Sequence, residues 1–180
     1  MKVKLFLVFL LIFYSFFSYA QLPTEQAKPI IISGISVEGN NFVSAETIIS
    51  LSGLRVGDVI AQTNETKIQN AILNLWKRKQ FHKIEILIDK ITDAGIFLLI
   101  KVEEFPRLNE IFFEGNDAIS TKDLLKEVNK TKGDIISNYD TLLIKNALRK
   151  KYSDEGLLFA KISPDIRYTE LKNYVDLHFF

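Results

Sequence analysis

The stretch ISVEGNNFVS, residues 35–44, returns in altered form as IFFEGNDAIS, residues 111–120. At this offset of 76 positions, residues 35–71 align with residues 111–147 without a gap, and eleven of the 37 aligned pairs are identical. Other pairs exchange like for like, such as Val43 with Ile119. A self-similarity of this length indicates two copies of one structural unit, each of about 75 residues.

Each copy begins with a short apolar strand, predicted over residues 31–37 and 108–113, which the shared Glu-Gly-Asn ends. A helix should follow, because Ser44 and Ser120 are good N-cap residues. The residue before each cap and the fourth residue inside each helix are apolar, which is the pattern of a hydrophobic staple. We therefore expect the same strand and capped helix in both copies.

The ends of these helices are also predicted by residue type. Gly53 and its counterpart Asn129 both favour the left-handed conformation that often follows a helix. A Gly-Asp turn then leads into a second, longer helix with apolar residues on one face. In copy one the face consists of Ile68, Ala71, Ile72, Leu75 and Trp76, and copy two repeats four of the five positions. We expect Trp76 and its counterpart Tyr152 to anchor the two cores.

Beyond the second helix, apolar residues alternate with other residues, which predicts a β-hairpin in each copy. In copy one the strands lie around residues 84–88 and 96–102, with a turn at 93–95. In copy two the first hairpin strand is predicted over residues 162–168 and contains Pro164. Because proline cannot donate to a strand ladder, we expect this strand at a sheet edge.

Each copy thus has the order β-α-α-β-β, which predicts an α+β fold of two tandem modules. Each module should be a three-stranded sheet covered on one face by two helices. We assign residues 31–105 to module 1 and residues 106–180 to module 2. The link over residues 103–107 is short and contains Pro106, so limited, hinge-like freedom is expected between the modules.

The N-terminus has the pattern of a secretory signal peptide. Lys2 and Lys4 precede an apolar run over residues 5–17, and small residues at 18 and 20 mark a cleavage site before Gln21. We expect residues 1–20 to be removed and residues 21–30 to form a linker. The alternative is an uncleaved anchor, but the run is short for a membrane span of about 20 residues. The mature chain is therefore expected outside the cytoplasm.

Composition excludes several classes of function. The chain has no cysteine, and cleavage would leave 21 of its 23 basic residues against 22 acidic ones. Near-neutral, mixed charge argues against nucleic-acid binding. The two histidines, His82 and His178, lie in different copies, whereas metal sites need several converging ligands. With no phosphate-binding loop or nucleophile motif, we expect no enzyme activity, cofactor, metal or small-molecule substrate.

The ordered set of strand, Glu-Gly-Asn, Ser-capped helix, Gly-Asp turn, amphipathic helix and hairpin resembles the POTRA (polypeptide-transport-associated) domain. The stretch VEEFPRLNEIFFEGN, residues 102–116, looks like the junction between consecutive POTRA modules. The resemblance is strongest to the periplasmic part of the outer-membrane assembly factor BamA family. It implies non-catalytic scaffold modules in the periplasm, joined to the outer membrane by a C-terminal β-barrel that this sequence lacks. We therefore expect an N-terminal fragment, with module 2 truncated at its last strand.

The resemblance implies that unfolded outer-membrane polypeptides and assembly-machinery proteins are the partners. An open sheet edge can pair with any extended peptide. The resemblance points to the strand after the second helix, with candidate residues Lys83, Ile84, Glu85, Ile86, Leu87, Ile88 and Asp89. A weaker candidate edge, interrupted by Pro164, comprises Lys161, Ile162, Ser163, Asp165, Ile166 and Arg167. Two alternatives remain open: a two-partner-secretion transporter, and a barrel-less POTRA scaffold protein.

Overall fold

The computed structural model describes residues 29–60 and 66–180. Their order in module 1 is β1 (Ile30–Glu38), α1 (Ala45–Ser52), β2 (Val59–Ile60), α2 (Thr66–Trp76), β3 (Phe81–Thr92) and β4 (Gly95–Glu104). In module 2 it is β5 (Arg107–Phe113), α3 (Thr121–Glu127), α4 (Asn138–Asp154), β6 (Pro164–Tyr168) and β7 (Tyr174–Phe179). The predicted signal peptide and most of the linker lie outside the described residues. None of the described helices has the length and apolarity needed to cross a membrane.

The strands form two separate sheets. The first has the order β2-β1-β4-β3, in which β4 is parallel to β1 and antiparallel to β3. The second has the order β5-β7-β6, again with a parallel central pair and an antiparallel edge strand. The α+β class and the tandem arrangement are therefore as predicted.

The prediction of three strands per sheet is wrong for the first sheet, which has four. The additional strand is β2, whose two residues pair antiparallel with Ile30 and Ile31. In module 2 the equivalent pairing is a single bridge between Arg107 and Ile135. A two-residue strand is too short to produce a detectable alternation of apolar residues.

Each sheet is covered by its own helices and has its own apolar core. In the first core, Ala71 and Leu75 of α2 are fully buried with alternate residues of β4. In the second core, Ile144 and Leu148 of α4 pack with alternate residues of β7. The prediction that Trp76 anchors the core is wrong: it is the last residue of α2, and 41% of it is exposed.

The sequence repeat corresponds to a repeated set of hydrogen bonds. The Asn40 side chain donates to the carbonyl of Val43 at 2.8 Å, and Asn116 donates to that of Ile119 at 3.0 Å. Both N-cap serines accept a backbone N–H at 3.2 Å. Gly57 and Gly133 both adopt positive φ and donate to the first strand at 2.8 Å. The identical residues are thus those that set the turns and caps.

Two predicted boundaries differ from the structure. Gly53 ends α1 in the left-handed conformation, as expected, but α3 ends at Glu127 with Val128 as an extended C-cap. Asn129 is not among the non-glycine residues with positive φ in the described parts of the chain, which are Lys79 and Asn173. The strand predicted over 162–168 begins only at Pro164.

Candidate functional site

Within residues 29–60 and 66–180, the strand β3 lies at the edge of the first sheet and is hydrogen-bonded to β4 along one side only. It is twelve residues long, whereas β6, the corresponding edge strand of module 2, has five. Two bulges interrupt its pairing, one between Phe81 and Lys83 and the other between Ile88 and Lys90. The predicted candidates Lys83, Ile84, Glu85, Ile86, Leu87 and Ile88 occupy the regular stretch between the bulges, and Asp89 lies in the second bulge.

The open side of β3 can be assigned from the pairing. In an antiparallel pair, residues that exchange backbone hydrogen bonds with the partner strand alternate with residues whose N–H and C=O groups point away from it. Thr92 and Gly95 close a two-residue turn and therefore form a hydrogen-bonded pair, which sets where the alternation begins. The N–H of Phe105, which donates to the carbonyl of Gln80 at 2.9 Å, fixes the same phase at the other end. We infer that the residues whose backbone groups point away from β4 are Ile84, Ile86 and Ile88.

The side chains of β3 are of two kinds. Leu87, Ile88 and Ile91 are large apolar residues with 45%, 57% and 74% of their surface exposed. Lys83 lies between Glu85 and Glu103, with nitrogen–oxygen distances of 3.4 and 3.5 Å, and the negative charge of Glu85 raises its pKa. Such charges limit the association of an edge strand with the edges of other copies.

The weaker candidate edge is only partly a strand. Lys161, Ile162 and Ser163 precede β6, so their placement inside the strand was wrong, whereas Asp165, Ile166 and Arg167 lie within it. Ser163 still exchanges two backbone hydrogen bonds with Phe180, at 2.9 and 3.1 Å. By alternation, Pro164 faces the open side of β6, where it offers no N–H.

The proline in β6 lies in the register that Ile86 occupies in β3. Pro164 pairs with Phe179, which in turn pairs with Phe113 of the first strand of module 2. In module 1, Ile86 pairs with Ile100, which pairs with Val37, the repeat equivalent of Phe113. The open edge of module 2 therefore lacks the N–H donor that Ile86 supplies in module 1.

A buried carboxylate, which sequence reasoning did not single out, lies at the end of β4. Glu104 is 5% exposed, and its side chain accepts backbone N–H groups from Asn41 at 2.8 Å, Phe42 at 3.0 and 3.1 Å, and Val43 at 3.1 Å. The alternation of β4 puts position 104 on the same face as Ile100 and Val102. A charged residue at an inward position was the available signal, since such a group must be hydrogen-bonded.

Each of the two histidines lies near one glutamate. His82 lies 3.6 Å from Glu103, and His178 lies 3.8 Å from Glu114. Within residues 29–60 and 66–180, no group of three or more His, Cys, Asp or Glu side chains is placed to hold a metal ion.

Comparison with known proteins points to one family. The POTRA family model, described as "Surface antigen variable number repeat", matches residues 106–180. The outer membrane protein assembly factor BamA of Nitratidesulfovibrio vulgaris is 24% identical over 134 residues. That match covers 73% of this chain, and the chain spans only 16% of the length of the BamA relative.

One solved structure has the same fold, and a second is reported for comparison. The N-terminal domain of Omp85 from the cyanobacterium Thermosynechococcus elongatus matches with a TM-score of 0.55 at 14% identity, over 84% of this chain and 62% of that one. POTRA1-2 of the periplasmic domain of Omp85 from Anabaena matches with a TM-score of 0.48 at 15% identity, over 84% of this chain and 94% of that one. Residues 106–180 therefore match the POTRA family model, and the chain shares the fold of the N-terminal domain of Omp85 from Thermosynechococcus elongatus.

Proposed function

We propose that this chain is a non-catalytic periplasmic scaffold of an outer-membrane protein assembly factor, and that it binds unfolded outer-membrane polypeptides by strand addition to β3. The observation that supports this proposal is the position of β3, which among the described strands is hydrogen-bonded on one side only. On its other side, Ile84, Ile86 and Ile88 present backbone donors and acceptors to an incoming strand.

Strand addition suits a partner that varies in sequence. The strands of an outer-membrane barrel alternate apolar and polar side chains but share no fixed sequence. Backbone pairing recognises the extended conformation and its period of two, while side chains add modest preferences. On β3 those preferences would come from the exposed apolar residues Leu87 and Ile88.

The cellular location that we propose is inferred from the names of the relatives. One of them is named as an outer membrane protein assembly factor, and another structure is a periplasmic domain of Omp85. Together with the predicted signal peptide, these names support a periplasmic location for the mature chain. We propose that other surfaces of the modules dock the partner proteins of the assembly machinery.

The main test removes one backbone N–H group from the open side of β3. Ile86→Pro deletes the N–H of Ile86 on the open side, in the register where module 2 already carries a proline. Ile86→Ala is the matched control, because it shortens the same side chain and keeps the N–H. Binding of a labelled ten-residue peptide with alternating apolar and polar residues is measured by fluorescence anisotropy. Loss of one backbone hydrogen bond should weaken binding by about three- to tenfold in the proline variant alone.

The result that contradicts the proposal is equal affinity of the two variants, because binding would then not use the backbone of β3. A second measurement identifies the natural partners by crosslinking from position 87 in cells. A broad set of outer-membrane proteins supports an assembly role. A single crosslinked protein would instead favour a secretion transporter with one dedicated substrate.

A further inference from the structure

The link between the two sheets consists of Phe105 and Pro106, and its backbone polar groups all have partners. The N–H of Phe105 donates to the carbonyl of Gln80 at 2.9 Å, and the carbonyl of Pro106 accepts from Ile136 at 2.9 Å. The side-chain amide of Asn173 donates to the carbonyls of Glu104 and Phe105, at 3.3 and 3.4 Å. Because proline has no N–H, each backbone donor and acceptor of Phe105 and Pro106 has a hydrogen-bond partner within the protein. A bend at the link would break the two bonds of Asn173, which join module 2 to the end of module 1.

A side chain from module 1 reaches module 2 beside this link. The ring of Phe42 lies 4.3 Å from the guanidinium carbon of Arg107, measured to the ring centroid. The same ring meets Tyr174 edge-on, with centroids 5.5 Å apart and an angle of 87° between the rings. Both geometries are attractive for an aromatic ring. Arg107 and Tyr174 are also paired in register at the start of the second sheet.

The loop that carries Phe42 is itself fixed. The Glu104 carboxylate accepts the N–H groups of Asn41, Phe42 and Val43, and it is almost fully buried. Glu104 is the last residue of β4, so the group that holds the loop comes directly before the link. The loop, the link and the first residues of β5 and β7 thus form one connected set of contacts.

We propose that these contacts form a clasp that joins the two modules into one rigid unit, with Phe42 as its central residue. This differs from the hinge-like freedom expected from the short link, and it does not depend on strand addition to β3. The clasp comprises Phe42, Glu104, Phe105, Arg107, Asn173 and Tyr174.

The clasp is tested by measuring a distance between the modules. The chain has no cysteine, so Ser50→Cys on α1 and Asn146→Cys on α4, both at exposed positions, carry two spin labels without competing sites. Double electron–electron resonance on the full chain should give one narrow distance distribution. Phe42→Ala should broaden that distribution by roughly twofold or more, since the modules would then reorient about the link.

A second variant tests the clasp without changing its apolar packing. Asn173 has a φ of 58°, so Asn173→Gly keeps the backbone conformation and removes only the amide donors. This variant should also broaden the distribution. Phe112→Ala is the control, because Phe112 is a half-exposed ring of β5 that contacts His178 rather than module 1. A broad distribution in the unmodified protein, or a narrow one in both clasp variants, would overturn the proposal.

Discussion

Module 1 has an edge strand of twelve residues and module 2 has one of five, although both are built on the same hydrogen-bonded turns and caps. The repeated bonds at Asn40 and Asn116 and at the two N-cap serines differ in length by 0.2 Å or less. The modules diverge at the strands that close each sheet. The turns and caps are therefore what the two modules share, and the edge strand is where they differ.

The largest expected effect is on the unfolding free energy of module 1, which has the buried Glu104. Glu104→Gln leaves one carbonyl oxygen for the N–H groups that the carboxylate now accepts, so module 1 should lose about 2 kcal/mol of unfolding free energy. Urea unfolding is followed by the fluorescence of Trp76, the only tryptophan in the chain, which lies in module 1.

The control for this change is Glu103→Gln, which alters the neighbouring, half-exposed side chain. It should change the unfolding free energy by less than about 0.5 kcal/mol. Equal losses in the two variants would mean that the buried carboxylate does not hold the loop of module 1.

A smaller effect is expected from restoring the missing donor of module 2. Pro164→Ile gives the open edge of β6 the N–H that Ile86 supplies in β3. In a chain that already carries Ile86→Pro, this change should raise affinity for the alternating peptide by about threefold, the value of one backbone hydrogen bond. Pro164→Ala in the same background should give a similar gain by anisotropy. Unchanged binding in both would show that the length of β6, rather than its proline, limits that edge.

The smallest expected effect is on the pH and salt dependence of stability at the two Gly-Asp turns, which contain Asp58 and Asp134. A hydrogen bond from Lys67 lowers the pKa of Asp58, whereas a hydrogen bond from the backbone N–H of Thr131 lowers the pKa of Asp134. Each carboxylate therefore contributes stability in full above its unfolded pKa of about 3.9, and loses it as the pH falls through the lower folded value.

Asp58→Asn and Asp134→Asn should each cost less than about 1 kcal/mol at pH 7, and the cost should disappear as the pH falls below the lowered pKa of each carboxyl group. High salt should reduce the cost of Asp58→Asn, because salt screens its ion pair with Lys67, and should affect Asp134→Asn less. Thermal unfolding at two salt concentrations measures both. An equal response to salt would contradict the assigned difference between the turns.

Much of this fold could be predicted because the decisive residues act locally. The N-cap serines, the left-handed Gly53 and the glycines of both Gly-Asp turns each satisfy a requirement of the backbone within a few residues. Because these residues recur 76 positions apart, the turn or cap predicted in one module supported the same prediction in the other. The edge position of the strand that begins at Pro164 followed from the same kind of reasoning.

The features that were missed depend on distant parts of the chain. Trp76 has helical spacing with the core face, but it is the last residue of α2 and remains half-exposed. Asn129 does not cap α3, because that helix has already ended at Glu127. The binding of Glu104 to a loop more than 60 positions earlier requires the parallel pairing of β1 with β4, which no local pattern reveals.

The two bulges in β3 would limit the length of a segment that adds to this strand as proposed. Between them the strand is regular only over Lys83–Ile88, six residues that span about 20 Å. In the proposed strand addition, a longer segment would lose register at either bulge, so only about six of its residues could pair with β3. Brief, length-limited capture would let a polypeptide leave again, and it would keep the proteins from polymerising edge to edge.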